Sequence, residues 1–250
     1  MRLYLWHNSG VLTYRLLGRN GRLGNQLWQI ASTLGIAEAR GVRAGFPYWR
    51  YRPYFSVPDE YFPDLSWPAG DDEDLGYDWL QEVGYFADIE PLIRRIFAPS
   101  PDAWEPIARY HRRLLELPHR TAVHVRRSDY LALADTYLPL GRRYYEEAMS
   151  LTSPPYVVFS DDIDWCRRNL PSECVFMRHN RDYEDLFLMA SCDEVISANS
   201  TFSWWGAWLS TGRGIYPRRW FGPAMAEGDP LAAKLDPELM FPAGAIVLDS

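Results

Sequence analysis

Three polar clusters in the second half of the sequence carry side chains suited to binding a charged ligand. They are Arg126-Arg127-Ser128-Asp129, Ser160-Asp161-Asp162 and Asn199-Ser200-Thr201-Phe202-Ser203. Arginine presents forked, permanently protonated N–H donors, so Arg126 and Arg127 predict a contact to phosphate oxygens. The carboxylates of Asp161 and Asp162 are acceptors for a paired N–H edge of the kind that guanine presents.

The third cluster combines hydroxyl side chains with the predicted start of a helix. Backbone N–H groups at a helix N-terminus attract anions, and Ser200, Thr201 and Ser203 add donors suited to phosphate or ribose. Together the three clusters predict a pocket for a purine nucleoside diphosphate.

Each cluster also has a purely structural interpretation. Arg126 can pair with Asp129, and Asp161 can cap the helix that follows it. The run 199–203 can be an N-cap on a buried, tryptophan-rich helix. A hard cation would also suit Asp161 and Asp162, but no second carboxylate cluster joins them, so a metal site is the weaker interpretation.

Each polar cluster follows a short apolar run typical of a buried strand, at 122–125, 156–159 and 195–196. Between these runs the apolar periodicity indicates helices over 143–150, 163–169 and 183–191. This alternation predicts βαβ units and a parallel sheet, whose ligands bind beyond the carboxyl ends of the strands. The three clusters are therefore expected to converge on one crevice.

The first half of the sequence has a glycine-rich turn, Gly18–Gln26, before a predicted helix that ends near Gly41. Glycines such as Gly24 let the backbone approach a ligand closely. The turn is neither a Walker motif nor a dinucleotide fingerprint. Residues 1–17 predict a strand or hairpin before this turn.

Other segments give coarser predictions. The stretch 46–70 is rich in aromatic residues and proline, which favours core packing, with stacking on sugars as the alternative. The acidic run 71–74 is expected to be a solvated loop. Helical patterns cover 91–97 and 103–116.

Composition excludes several classes of protein. The 250 residues are 47% hydrophobic and 24% charged, which indicates a globular chain, and a net charge of −7 argues against nucleic-acid binding. Three cysteines without CxxC spacing indicate neither a disulfide framework nor a zinc site, and they fit a reducing compartment. No apolar run reaches the roughly 18–20 residues of a membrane span, and no signal-peptide pattern opens the sequence, so a cytoplasmic location is expected.

The sequence resembles family 11 of the glycosyltransferases, the α-1,2-fucosyltransferases. The resembling segments run in family order from about Gly21 to Phe221. They are GRLGNQLWQ (21–29), GYF (84–86), HVRRSDY (124–130), FSDDIDWC (159–166) and the whole stretch 182–209, which is the most specific.

The resemblance implies a GT-B-type α/β fold with two Rossmann-like lobes, parallel sheets and an interlobe cleft. Residues 1–118 would form an acceptor-side lobe, and residues 119–250 would form a lobe that binds GDP-fucose. The implied reaction moves L-fucose from GDP-β-L-fucose to a galactoside hydroxyl with inversion, and it forms an α-1,2 linkage. The resemblance implies no cofactor and no obligatory metal.

The resemblance also implies roles for the phosphate-binding and base-binding residues. Arg126 would bind the β-phosphate, and Arg127 and His124 would support this contact. Asp161 and Asp162 would lie on the guanine side.

Further roles concern the nucleotide loop and the reacting centre. The nucleotide would be surrounded by Ser200, Thr201 and Phe202. Asn25 would extend from the N-terminal loop to the reacting centre. Asp129 is the carboxylate nearest to Arg126 in sequence, so it is a candidate base, although orienting Arg126 is the favoured role. The predicted donor-binding set is completed by Gly24, Asn199 and Ser203.

Departures from the family pattern lie mostly outside the donor residues. Ser128 replaces a common Gly, and Trp28 and Ile30 replace the usual Phe and Tyr. The expected acceptor is a galactose-terminated glycan, with peripheral membrane contact if that glycan is lipid-linked. Two alternatives remain: a non-catalytic carbohydrate- or nucleotide-binding protein of the same fold, or a transferase for another GDP-sugar.

Overall fold

The computed structural model describes residues 10–63, 72–76, 78–226 and 236–249. The chain forms two compact units, Met1–Ser100 and Pro101–Ser250. The helices just after residue 100 belong to the second unit, whereas the sequence-based division between 118 and 119 assigns them to the first lobe. No helix in the described ranges is long and apolar enough to cross a bilayer.

The first unit contains a small parallel sheet with strand order β2-β1-β3. Its main elements are β1 (Val11–Thr13), α1 (Leu23–Arg40), β2 (Arg43–Gly45), β3 (Glu73–Asp74) and α2 (Glu90–Ile96). The apolar stripe of α1, which includes Leu27, Ile30 and Leu34, is buried. The helix ends at Gly41, whose φ of +65° is the left-handed conformation that glycine adopts without a Cβ clash.

Most sequence-based predictions for this unit are confirmed. The helix after the glycine turn is α1, and the helix predicted over 91–97 is α2. The strand expected within 1–17 is β1, while residues 1–9 lie outside the described ranges. Core packing is confirmed for Phe46, Trp49 and Phe55, which are buried, and residues 64–70 are not among those described.

The prediction of a solvated loop over 71–74 is wrong for its second half. Glu73 and Asp74 pair in parallel with Leu12 and Thr13 of β1. The Asp74 carboxylate also accepts hydrogen bonds from the backbone N–H groups of Arg15 (3.0 Å) and Gly76 (2.9 Å). Backbone pairing therefore places these two acidic residues in a strand, although acidic side chains are more usual in solvated loops. Residue 71 lies outside the described residues.

The second unit is built on a parallel sheet whose described strands lie in the order β6-β5-β4-β7-β8-β9. The strands are β4 (Thr121–Val125), β5 (Tyr156–Ser160), β6 (Val175–Phe176), β7 (Glu194–Ile196), β8 (Arg213–Pro217) and β9 (Ile246–Leu248). The helices are α3 (Pro101–Tyr110), α4 (Arg112–Leu115), α5 (Ser128–Ala132), α6 (Arg142–Ser150), α7 (Ile163–Asn169), α8 (Asp182–Ala190), α9 (Thr201–Leu209) and α10 (Pro223–Ala226).

This strand order is that of a Rossmann fold, 3-2-1-4-5-6. The chain moves outward from β4 to β6 and then returns to place β7 beside β4. Because parallel crossovers are right-handed, α6 and α7 cover one face of the sheet and α8 and α9 cover the other. The direction of winding changes between β4 and β7, and ligands of open α/β sheets bind at the carboxyl ends of strands at such a switch point.

The two faces of this sheet have different cores. On one face Tyr145 and Met149 of α6 pack with Val123 and Val125 of β4. On the other face α9 is apolar on all sides, and its Trp204 and Trp205 are fully buried, as expected for a helix that is hydrophobic all round. The thiols of Cys166, Cys174 and Cys192 are buried and unpaired.

The parallel sheet and the three predicted βα pairs of the second unit are confirmed. The helical pattern predicted over 103–116 is confirmed, with an interruption at His111 that divides it between α3 and α4. Strands β6, β8 and β9 were not predicted. The first has only two residues, and β8 begins with Arg-Gly and ends with Pro, so neither shows a strand pattern.

At Gly35 the helix α1 lies in close contact with the backbone of the first unit. A Cβ atom at this position would lie 1.9 Å from the backbone oxygen of Tyr85. We expect Gly35→Ala to lower the free energy of unfolding by about 2–3 kcal/mol in denaturant titrations, because backbone must move to admit the methyl group. Gly84→Ala is the control, since its Cβ would meet no described atom within 4 Å. Equal effects of the two substitutions would contradict this packing.

Candidate functional site

Arg126 lies immediately after β4, on the β5 side of the switch point. Strands β4 and β5 pair with Val125 opposite Ser160, so their register places Arg126 beside Asp161. The Arg126 guanidinium donates one N–H to Asp161 and another, through Nη2, to Asp129 at 2.6 Å. With its side chain only 16% exposed, Arg126 is held in one orientation by two carboxylates.

Asp161 connects the turn after β4 to the turn after β5 through hydrogen bonds. Its carboxylate also accepts hydrogen bonds from the backbone N–H groups of Arg127 (2.9 Å) and Ser128 (3.4 Å). The Ser128 hydroxyl donates to the Asp161 carbonyl at 2.8 Å. Both parts of Asp161 therefore hold neighbouring protein groups, and its predicted contact with guanine stays a prediction.

Arg127 and Asp162 point toward α7 and support this turn. The Arg127 guanidinium lies 4.3 Å from the centre of the Trp165 ring and donates to the Leu140 carbonyl at 3.0 Å. Asp162 caps α7 by accepting the Trp165 N–H at 2.9 Å. The capping alternative from the sequence therefore applies to Asp162 and not to Asp161.

His124 faces the opposite side of β4 and contacts α9. Its ring lies 5.5 Å from the ring of Phe202, and its Nδ1 has no hydrogen-bond partner among the described residues. Burial, reinforced by the charge of Arg126, lowers the pKa of His124 to about 3. This imidazole is therefore neutral near pH 7.

The cluster after β7 divides into two buried polar side chains that support the turn and three residues at the start of α9. Asn199 donates through Nδ2 to the carbonyls of Leu138 and Trp220, both at 2.8 Å. The buried Ser203 Oγ accepts the Ala198 N–H at 3.1 Å. Both side chains stabilise the turn from inside and are unavailable to a nucleotide in this conformation.

The remaining members of this cluster form the start of α9. Ser200 is the N-cap residue, and its side chain makes no capping hydrogen bond. Thr201 and Phe202 are half-buried in the first turn of the helix. The positive end of the α9 dipole thus lies beyond the carboxyl end of β7, next to β4.

Tyr130 connects the first and third clusters, a role that the sequence did not reveal. Its hydroxyl donates to the Asn199 carbonyl at 3.1 Å, and its ring stacks on Tyr137 with centres 4.6 Å apart. The Arg126 guanidinium carbon lies 5.4 Å from the centre of the same ring. Burial raises the pKa of the Tyr130 phenol, which keeps it protonated as a donor. Arg126 precedes α5, so no helical spacing in the sequence could have identified this contact.

The predicted residues of the first unit lie at the start of α1. Asn25 accepts a hydrogen bond from Gln81 Nε2 at 3.2 Å. Its amide lies over Gly21, where φ is +75° and a Cβ would come within 2.4 Å of Asn25 Nδ2. Gly24 is buried in the first turn of the helix. The catalytic role of Asn25 and the donor-binding role of Gly24 stay predictions.

No three His, Cys, Asp or Glu side chains come together as a metal site within the described part of the chain. The described contacts thus bring Arg126, Asp129, Asp161 and the α9 start to one edge of a Rossmann sheet. This arrangement can bind an anionic group of a nucleotide.

Comparisons with known proteins show to which family the chain belongs. The sequence profile described as glycosyl transferase family 11 matches residues 42–220. The chain belongs to this family, which confirms the resemblance noted in the sequence.

Curated relatives share moderate identity with the chain. The O-antigen biosynthesis glycosyltransferase WbnK of Escherichia coli is 35% identical over 45% of this chain and 42% of its own length. An α-1,2-colitosyltransferase of Escherichia coli is 31% identical over 61% and 57%. Galactoside α-(1,2)-fucosyltransferase 1 of Ateles belzebuth is 28% identical over 79% and 65%. The chain thus spans about two fifths to two thirds of the length of these relatives.

Solved structures support the fold. NodZ α-1,6-fucosyltransferase soaked with GDP-fucose superposes with a TM-score of 0.56 at 16% identity, covering 81% of this chain and 93% of NodZ. POFUT1 in complex with GDP-fucose gives 0.55 at 15% identity, covering 85% and 98%. These similarities confirm the expected GT-B-type α/β fold with parallel sheets.

His124 makes the stability of the fold depend on pH. Its ordinary pKa of 6.5 applies to the unfolded chain, which takes up a proton below that pH, while the folded chain does not until about pH 3. Stability therefore falls as pH falls, and this group accounts for about 2 kcal/mol between pH 7 and pH 5. We expect the His124→Gln variant to lose correspondingly less stability over this range in denaturant titrations.

The control for this prediction is His179→Asn, which removes an exposed imidazole at a positive φ that asparagine tolerates. This variant should keep the wild-type pH dependence. Parallel curves for wild type and His124→Gln would contradict the burial of a neutral His124.

Proposed function

We propose that this chain transfers L-fucose from GDP-β-L-fucose to a hydroxyl group of a galactoside. The observation that carries the proposal is the position of Arg126, fixed at the switch point of a Rossmann sheet beside the start of α9. Family membership supports glycosyl transfer, and the fold is shared with fucosyltransferases that were solved with GDP-fucose.

Arg126 is the proposed anchor for the diphosphate. Guanidinium has five N–H donors, and the two carboxylate contacts leave others for phosphate oxygens. The diphosphate competes with Asp129 and Asp161 for the same positive charge, so it requires donors that those carboxylates do not occupy. The first turn of α9 lies at the positive end of the helix dipole and supplies such donors through its backbone N–H groups. The Ser200 N–H is not one of them, because it donates to the Ala198 carbonyl at 2.8 Å.

In the proposed reaction a galactoside hydroxyl oxygen attacks C1 of fucose while the bond from C1 to the β-phosphate oxygen breaks. Attack from the opposite side converts the β-linked donor into an α-fucoside. The electron pair of the broken bond leaves with GDP, whose added negative charge Arg126 and the α9 dipole stabilise. The hydroxyl proton goes to a base, for which Asp129 is one candidate, although its contact with Arg126 favours an orienting role.

The α-1,2 linkage and the galactoside acceptor are supported by the name of the Ateles belzebuth relative, whose alignment covers 79% of this chain. A second candidate function is colitosyl transfer, because the α-1,2-colitosyltransferase of Escherichia coli is more similar in sequence over a shorter alignment. Both candidates use the same anchor for the leaving group and differ in the sugar that is transferred.

The role of Arg126 is tested by two substitutions. We expect Arg126→Ala to lower kcat/KM for GDP-fucose by about 100-fold or more, because a charged donor to the leaving group is lost. Arg126→Lys should recover only part of this activity, since a single ammonium cannot replace a forked contact. Arg113→Ala removes an exposed arginine outside the site and serves as the control. A folded Arg126→Ala protein with wild-type kcat/KM would refute the assignment.

The transferred sugar and its linkage require a direct product analysis. Incubation with GDP-fucose and a panel of galactose-terminated glycans should give products heavier by one deoxyhexose, with an α-1,2 linkage on fragmentation. Parallel reactions with GDP-mannose and with a colitosyl donor test the other sugars. Binding of GDP without turnover of any donor would instead support a non-catalytic binding protein.

A further inference from the structure

A cleft in the first unit has the chemistry of a sugar-binding site. It occupies about 440 Å³ in the loop that follows β2. The buried Phe46, Trp49 and Phe55 form its floor, Tyr48 and Phe62 contribute accessible aromatic surface, and Arg52 and Asp59 contribute polar groups. This size and this mixture of aromatic surface with a few polar groups are typical of small-molecule sites.

Tyr48 differs from the other aromatic residues of its loop. Phe46, Trp49, Tyr51 and Phe55 are each at most 4% exposed, so they form the core that supports the loop. Tyr48 is 75% exposed although it lies between two buried residues of the cleft wall. A flat ring presented to solvent beside a cleft can pack against the C–H face of a pyranose.

The polar wall of the cleft is a charged pair. Arg52 donates to the carboxylate of Asp59, and its guanidinium carbon lies 5.2 Å from the centre of the Phe62 ring. The side chain of Asp59 is 93% exposed, so its oxygens remain accessible to further donors. Planar guanidinium and carboxylate groups suit the neighbouring hydroxyl groups at the rim of a sugar ring.

Contacts among the residues of the loop hold the walls of the cleft together. Trp49 lies between Phe55 and Phe62, with ring centres 5.2 and 6.3 Å away. The Phe46 N–H donates to the Tyr61 carbonyl at 2.8 Å. A preformed site loses less conformational freedom when a ligand binds. This smaller entropic cost matters most for a ligand that makes weak contacts, such as a saccharide.

The cleft lies at the carboxyl edge of its parallel sheet. Trp49 Nε1 donates to Gln26 Oε1 at 2.8 Å, and Gln26 Nε2 donates to the Gly21 carbonyl at 2.9 Å. The loop after β2 is thereby joined to the glycine turn after β1. Ligands of open α/β sheets bind at this edge, which is a second observation in favour of a site.

We propose that this cleft binds a sugar ring of the acceptor glycan, with Tyr48 stacked on the ring and Arg52 and Asp59 bound to its hydroxyls. The proposal deepens the proposed function and rests on it for the class of ligand. It assigns Tyr48 to acceptor affinity and gives it no part in GDP binding.

The kinetic test compares Tyr48→Ala with wild type, using N-acetyllactosamine as acceptor and GDP-fucose as donor. We expect the KM for N-acetyllactosamine to rise about tenfold, while the Kd for GDP in calorimetry stays within a factor of about two. Tyr48→Phe retains the ring and should keep the wild-type KM. Tyr110→Ala removes a tyrosine that is 83% exposed in the second unit, so it controls for the loss of a surface ring.

A KM within a factor of about two of wild type in Tyr48→Ala would overturn the proposal. If the chain has no activity with these substrates, a glycan array probed with the labelled full chain still tests the cleft. Saccharide binding that Tyr48→Ala abolishes and Tyr110→Ala preserves would support the proposal even though the proposed function had failed. Wild-type protein that binds no saccharide on the array, or equal binding by Tyr48→Ala, would overturn it.

Discussion

The pairing of one guanidinium with two carboxylates determines the geometry and the charge of the candidate donor site. Arg126 lies between Asp129 and Asp161 with little exposure to solvent, so its orientation is fixed before any ligand arrives. The same pairing compensates its charge. Removing one member would leave a partly buried charge without its partner, so the pairing also stabilises the turns after β4 and β5.

The rest of the second unit holds this pairing in place through contacts to the backbone. The β4–β5 register aligns Arg126 with Asp161, and Asp161 also holds the backbone of the next two residues. Tyr130 links the turn after β4 to the turn that precedes α9. Two loops that begin at different strands are therefore fixed relative to each other.

The sequence predicts this architecture well where its patterns are strong. Apolar runs followed by polar clusters were sufficient to predict β4, β5 and β7 with their helices, and hence the convergence of the clusters. Side-chain type could not separate the half-buried Thr201 from the buried Asn199, Ser200 and Ser203, because strand alternation and cap geometry decide which of them turn inward. Likewise the aromatic composition of 46–63 indicates a core, but it does not show that Tyr48 alone among its buried neighbours faces solvent. Strand β6 has only two residues, which are too few positions to show a period.

A crystal structure of the chain with GDP tests the central claim most directly. We predict that a β-phosphate oxygen lies within about 3 Å of an Arg126 guanidinium nitrogen, and that another accepts from a backbone N–H in the first turn of α9. At least one of the two carboxylates should then have moved away from Arg126 or share it with the phosphate. GDP bound elsewhere, with Arg126 still held by Asp129 and Asp161 and in no contact with phosphate, would contradict the account.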